Sequence, residues 1–548
     1  MKHLAPLGLL SALLLSAPLG AVEPLVTVHL KSYRAVIDDA TRLSAAAAPD
    51  QPAAIEPMIQ GMVGPAAMAL IDAEKPWHLA LWMDQMGQSP SGALYLPVAD
   101  APAFEAAIAQ GFLATQALTV TDSGDFVIVT QSQTPDATLN QKATDYAQQL
   151  PAEPTDTLSV QLKMNEPVRM MAMGGLQFSK GMMLSSMQGE LTPEMGLPAD
   201  FYESIFGAYF GVFEFALRDL STLNIALSVK EENLNYTLSI APTAGTQLEH
   251  WMQQQNIEIS DILPTVDWSS DMAIALSMAK LTDPERAAWS KLTAAMMPLY
   301  GLEAKDAEDW MQIFDQSLPL KASYSIEVEN GFSFEGFYQL LDGSAQAVYD
   351  QSMQLVEQMP TAESNPTAYY SDIKFQKGIR TANGHSIDQI SMTMNLDHPT
   401  MQMPGQKEQM LALFEDGKIV YESAVIDDRI YFAGSGELEQ ALQANHPKPA
   451  IQPTDATRML GSLNLISLMK LGAQSAPEIA PMMQTMDASA GSLWCMLNIS
   501  DTLEMQTIIP LQVLTEFSKM APANPAAPHS HEPHAHEPHT DAPESATR

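Results

Sequence analysis

The sequence predicts an α+β protein of two related halves, in which antiparallel, hairpin-rich sheets are packed by amphipathic helices. Three observations predict this fold. Many short segments alternate apolar and polar residues, which is the period of a strand with one buried face. Several of these segments follow one another closely, as the two arms of a β-hairpin do. An order of strand, helical region, hairpin and closing helix recurs four times, which indicates an internal repeat.

The first 21 residues are typical of a secretory signal peptide. Met1, Lys2 and His3 precede the apolar run LAPLGLLSALLLSAPLGA, and cleavage after Ala21 would leave a mature chain that starts at Val22. An uncleaved anchor helix is the alternative, but the apolar run is short for a membrane span. We therefore expect an exported protein, in the periplasm or outside the cell.

Four alternating strands open the repeated units: LVTVHLK from residue 25, TLSVQLKM from 157, DMAIALSM from 271 and MLGSLNL from 459. The hairpins that follow show the same alternation in both arms. In the second unit the apolar residues from Leu223 to Val229 mirror those from Leu234 to Ile240. In the third unit Asn330-Gly331, a pair suited to a tight turn, separates the arms.

A larger repeat groups these units into an N-terminal half, residues 22–256, and a C-terminal half, residues 271–520. An extra strand pair with a helix follows the first unit, and a counterpart precedes the fourth. The second half also carries additional strands around 368–398. Residues 257–270 are predicted to link the halves, and residues 521–548 are predicted to form a disordered His/Pro-rich tail.

The segments SGALYLPVADAPAFEAAI, LNYTLSIAPTAGTQLEHW, DGKIVYESAVIDDRIYFAGSGELEQAL and LGSLNLISLMKL resemble those of a loose group of large exported bacterial proteins of uncharacterised function. The resemblance covers most of residues 22–520. It implies an exported α+β protein and supplies no catalytic residues.

The charge and composition of the chain limit the classes of partner that it is expected to bind. The chain has 65 acidic against 27 basic residues, a formal net charge of −38, which repels nucleic acids and anionic membranes. No segment after the signal peptide is long and apolar enough to predict a transmembrane helix. The expected partner is an unidentified protein or an apolar ligand, because the chain combines regular structural repeats and abundant methionine with no recognised reaction centre.

Catalytic motifs are missing from the sequence. Serine precedes lysine by three residues at Ser277/Lys280 and at Ser467/Lys470, but the companion motifs of that enzyme class are absent. Cys495 alternates with apolar residues and is predicted to lie protonated in the core. A hydrolase site assembled from distant carboxylates stays open as an alternative, because a single sequence does not reveal such sites.

Methionine is abundant, with 35 residues in the chain. Between residues 164 and 187 a helical stripe of Met164, Val168, Met171, Phe178 and Met182 predicts a buried core face. An adaptable apolar groove and a copper site are the alternatives, since methionine suits both.

The tail contains His529, His531, His534, His536 and His539. Its HEPHAHEPH run is not the zinc-protease helix motif, because the histidine spacing is three rather than four and proline prevents the helix. These five histidines are predicted to bind Zn, Cu or Ni loosely, with a soluble spacer as the alternative. No other cofactor is predicted.

Taken together, these features predict an exported non-enzymatic protein that binds a partner or a hydrophobic ligand. The alternative is a periplasmic metal-binding or buffering protein that uses the histidine-rich tail.

Overall fold

The structure of the protein is a computed structural model. It describes residues 23–49, 55–83, 90–109, 118–131, 137–187, 201–328, 332–366, 368–402, 405–443, 446–473 and 480–520. The predicted signal peptide, the Asn330-Gly331 turn and the tail with its five histidines lie outside the described residues.

The described strands form one antiparallel sheet. The strands are β1 Val26–Leu30, β2 Trp77–Met83, β3 Pro90–Leu96, β4 Leu118–Asp122, β5 Val127–Gln131, β6 Leu158–Lys163, β7 Leu220–Lys230, β8 Asn233–Pro242, β9 Met272–Met278, β10 Leu320–Glu327, β11 Ser333–Leu340, β12 Tyr370–Ala382, β13 His385–Met394, β14 Lys418–Ile426, β15 Arg429–Gly434, β16 Thr457–Leu463, β17 Leu493–Ile499 and β18 Leu503–Pro510.

The helices surround this sheet. They are α1 Tyr33–Ala47, α2 Ile55–Val63, α3 Pro65–Met68, α4 Ala101–Ile108, α5 Ala137–Ala147, α6 Glu166–Met187, α7 Phe201–Asp219, α8 Gln247–Gln254, α9 Asp283–Met296, α10 Ala307–Ser317, α11 Ala345–Gln358, α12 Gln406–Leu413, α13 Leu438–Gln443, α14 Leu465–Ala473, α15 Ala480–Gln484 and α16 Leu511–Ser518.

Local sequence signals account for several helix starts. Ser32 caps α1 by accepting a hydrogen bond from the Ala35 backbone N–H at 3.0 Å, and Asp100 caps α4 in the same way. Thr282 and Glu285 form a capping box at the start of α9. Such caps satisfy backbone N–H groups that have no partner inside the helix.

Strand pairing gives the sheet the order β4-β5-β3-β2-β1-β6-β7-β8-β18-β17-β16-β9-β10-β11-β15-β14-β13-β12. Outward from the β8–β18 pair, the first half runs β8-β7-β6-β1-β2-β3-β5-β4. The second half runs β18-β17-β16-β9-β10-β11-β15-β14, which is the same order, and then adds β13 and β12. The α+β class with two related halves is thus confirmed.

The two halves share one sheet, because β8 pairs with β18 over the registers from Leu503–Ile240 to Pro510–Asn233. This pairing satisfies the backbone groups of two strands that would otherwise be unpaired sheet edges. The pair therefore lies at the centre of an approximate two-fold repeat.

The two faces of the sheet differ in what covers them. One face packs against α1, α6, α8, α10, α11 and α16. We call it the helix-bearing face, because more of these helices pack against it than against the other. The opposite face packs against α5 and α13. It also packs against residues 257–270, the predicted linker, which bury Ile259, Ile262, Val266 and Trp268 in a core with Leu460.

Candidate functional site

Two rows of side chains cross the join between the halves on the helix-bearing face. Each row follows directly paired residues on β7, β8, β18 and β17. All eight side chains are half-buried. We call them the central floor: Ile225, Leu238, Met505 and Leu497 in one row, and Leu227, Tyr236, Thr507 and Cys495 in the other.

Helices bound the central floor at both ends of its strands. At one end Ala46 of α1 and Leu511 of α16 pack against Val229. At the other end Leu248 and Met252 of α8 pack against Ile499. Helices α8 and α16 each follow the last strand of their half, so the two-fold repeat places equivalent helices at opposite ends. The central floor is thus an apolar surface between helical walls.

The central floor offers apolar contact and few polar groups. Its four strands are each paired on both sides, so their backbone hydrogen bonds are used within the sheet. Its polar groups are the hydroxyls of Tyr236 and Thr507 and the thiol of Cys495. Burial raises the pKa of the Cys495 thiol, against the effect of a hydrogen bond with Thr507. The thiol is therefore protonated at neutral pH, as predicted, but Cys495 is half-buried on the floor rather than buried in the core as predicted. The floor carries no charge.

The stripe of apolar residues predicted to be buried along the methionine-rich helix α6 is buried only in part. Met164 and Val168 are buried against the sheet, but Phe178 is 68% exposed and Met182 is 57% exposed. A 22-residue helix spans roughly 33 Å, whereas the short strands β1 and β6 beneath it span roughly 20 Å. The prediction of one continuous buried face is therefore wrong for the C-terminal part of α6, which extends past these strands.

Helix α7 packs against α6 and adds Val212, which is 61% exposed. Met170 of α6 is also exposed, at 61%. The α6–α7 pair thus exposes apolar side chains.

A polar cleft of about 420 Å³ lies on the opposite face of the sheet. Its lining includes His29, Ser159, Gln161, Asn224 and Ser239. These residues belong to strands between the part of the sheet under α5 and the part under residues 257–270. The alternating strands thus present polar side chains on this part of the face.

Half-buried His29, which lines this cleft, pairs with buried His78, and their Nδ1 atoms lie 2.8 Å apart. His78 is only 1% exposed, and burial together with the neighbouring His29 lowers its pKa to about 4. Burial also lowers the pKa of His29. Both rings are therefore neutral at neutral pH, so one Nδ1 donates the hydrogen bond and the other accepts it.

A second polar cluster joins three distant segments. His446 Nε2 lies 3.2 Å from Glu335 Oε1 on β11, and His446 Nδ1 lies 3.9 Å from Asp267 Oδ1. Sequence reasoning missed this cluster, because no motif or spacing relates the three residues. The sequence marked His446 only as one of several scattered histidines, none of which lies at helical spacing from another.

The structure does not arrange Ser277/Lys280 or Ser467/Lys470 as a catalytic serine–lysine pair. The Ser277 hydroxyl donates to the backbone carbonyl of Ile257 at 2.7 Å, while the Lys280 ammonium pairs with Asp342 at 2.8 Å. Ser467 is buried, at 4% exposure. Neither serine therefore forms an accessible nucleophile with its lysine.

Within the described ranges, no helix has both the length and the hydropathy required to cross a bilayer.

Comparisons with known proteins identify no family. No family model matches the sequence, and no curated protein matches it. A solved structure entitled "Structure of crystal form I of TP0453" aligns with 14% sequence identity over 42% of this chain and 80% of that chain, at a TM-score of 0.20. A likeness at this TM-score carries no inference about ligand or partner.

Proposed function

We propose that this is an exported, non-enzymatic binding protein that holds an apolar, hydrocarbon-type ligand on its central floor. The observation that carries the proposal is the pair of half-buried, uncharged rows that cross β7, β8, β18 and β17 between helical walls. Export is supported by the N-terminal leader pattern, which lies outside the described residues.

The chemistry of the floor favours a hydrocarbon over an extended peptide. A peptide strand needs hydrogen-bond partners for its backbone, and the floor strands already use theirs within the sheet. A hydrocarbon requires only apolar contact. Covering roughly 300 Å² of apolar surface would contribute on the order of 7 kcal/mol before the costs of ordering the ligand.

Binding of N-phenyl-1-naphthylamine, a neutral apolar fluorophore, tests the proposal. We expect saturable binding to the full mature chain and displacement by dodecanol. Met505→Gln and Leu238→Asn should each weaken binding about tenfold, because burying an unpaired amide costs roughly 1–3 kcal/mol. Dissociation constants are measured by fluorescence titration on protein whose folding is checked by circular dichroism.

Gln506→Met is the matched control, because Gln506 neighbours Met505 on β18 and points to the other face. This variant should bind the probe as the unmodified protein does. Absence of saturable binding, or unchanged affinity in both floor variants, would contradict the proposal.

A further inference from the structure

One nitrogen of His446 and one carboxylate oxygen each from Asp267 and Glu335 lie within 4.8 Å of one another. The three residues come from the segment between the halves, from β11 and from the segment that leads into β16. The side chains of His446, Glu335 and Asp267 are 10%, 25% and 30% exposed, so this cluster is half-buried.

The cluster carries more negative charge than its surroundings neutralise. The carboxylates of Asp267 and Glu437 both interact electrostatically with Glu335, and the His446 imidazole lies beside it. Within the described ranges, no lysine or arginine forms an ion pair with Asp267, Glu335 or Glu437. A bound cation would therefore be favoured at this position.

Hydrogen bonds hold Asp267 in place. Its Oδ1 accepts from the backbone N–H of Ser269 at 3.0 Å and from the Ser269 hydroxyl at 2.5 Å. Its own backbone N–H donates to the Ser325 hydroxyl at 3.0 Å. Neither bond from Ser269 uses Oδ2. Contacts of this kind orient ligands in protein metal sites.

We propose that Asp267, Glu335 and His446 form a binding site for a divalent transition metal of the Zn²⁺ class. One imidazole and two carboxylates suit such ions, whereas Mg²⁺ and Ca²⁺ prefer oxygen alone. The 3.2 Å between His446 Nε2 and Glu335 Oε1 is close to the roughly 3.4 Å between two donors on a tetrahedral ion with bonds of about 2.1 Å.

The bound ion would tie the segment between the halves to the sheet. Residues 257–270 already pack there through Ile262, Val266 and Trp268, and Asp267 lies between the last two of these. The site therefore differs from the five tail histidines in position and in ligand chemistry. It is also independent of the central floor, which lies on the other face of the sheet.

Zn²⁺ binding to the full mature chain tests the site, with the tail histidines replaced by glutamine to remove their contribution. We expect one tightly bound Zn²⁺ per chain by calorimetry and a Zn²⁺-dependent rise in the melting temperature. Asp267→Asn, Glu335→Gln and His446→Ala should each weaken binding at least tenfold. His250→Ala removes an exposed histidine elsewhere and should leave binding unchanged.

X-ray absorption of the Zn²⁺-loaded, tail-substituted protein provides a measurement that needs no change at the site itself. It should show one imidazole with oxygen donors. The proposal is overturned if this protein binds no Zn²⁺ tightly, if its spectrum lacks imidazole, or if the three site variants bind as the His250→Ala variant does.

Discussion

His78 shows how a single buried side chain couples stability to pH. It faces His29 across β1 and β2 and lies edge-on to Phe126. Its pKa is about 4 in the folded protein, whereas an unfolded histidine titrates near 6.5. Between these values the unfolded chain binds more protons than the folded chain, so stability falls as the pH falls through this range.

We expect this group to remove up to about 3 kcal/mol of stability between pH 7 and pH 4. His78→Leu should reduce the pH dependence by about that amount, because no imidazole then has to be protonated on unfolding. Urea denaturation at several pH values measures it. His250→Gln, at an exposed histidine, is the control, and an equal pH dependence in both variants would contradict the expectation.

At the scale of an element, helix α6 serves two purposes along its length. Its N-terminal end is anchored, since Val168 in the first turn and Met164, which precedes the helix, pack with Leu25, Val26 and Leu220. Its later turns leave Phe178 and Met182 exposed. The same residue types therefore contribute to the core at one end and to an apolar surface at the other.

Two substitutions in α6 should separate these contributions. Val168→Ala should lower the free energy of unfolding by roughly 1–3 kcal/mol, because it removes buried methyl groups and leaves a cavity. Phe178→Ala should change it by less than about 0.5 kcal/mol, since exposed side chains contribute little. Urea denaturation of both variants measures the difference, and similar losses would show that the end of α6 is packed in solution.

At the scale of the whole molecule, the β8–β18 pair joins the halves. Thr237 on β8 pairs with Ala226 on β7 and with Gln506 on β18. Because the sheet is continuous through this position, a local disruption there should affect both halves. Separate domains joined only by a linker would respond independently.

Thr237→Pro should lower the stability of both halves together by roughly 1–3 kcal/mol or more, because proline removes a backbone donor from a central strand. Hydrogen exchange read by mass spectrometry should show faster exchange in β6 and in β16 alike. The matched control is Thr119→Pro on β4, at the end of the sheet, which should act locally. Faster exchange confined to residues 22–256 in Thr237→Pro would contradict a shared sheet.

The sequence predicted the strands well, because alternation is a local property. The segments from Leu223 to Val229 and from Leu234 to Ile240 lie in β7 and β8, and their apolar residues share one face, as the alternation required. The same reasoning predicted too long a buried face on α6. The helical period shows which residues share a face, but not how much of that face a neighbouring element covers.

Amino-acid order alone thus determined the α+β class, the repeated units and the apolar side of alternating strands such as β7 and β8. Tertiary structure decided that β8 pairs with β18, that the two apolar rows meet across that join, and that Asp267, Glu335 and His446 come together. The physical reason is distance along the chain. Alternation and capping depend on neighbouring residues, whereas strand pairing and side-chain clusters depend on contacts between remote segments, which leave no periodic signal in the sequence.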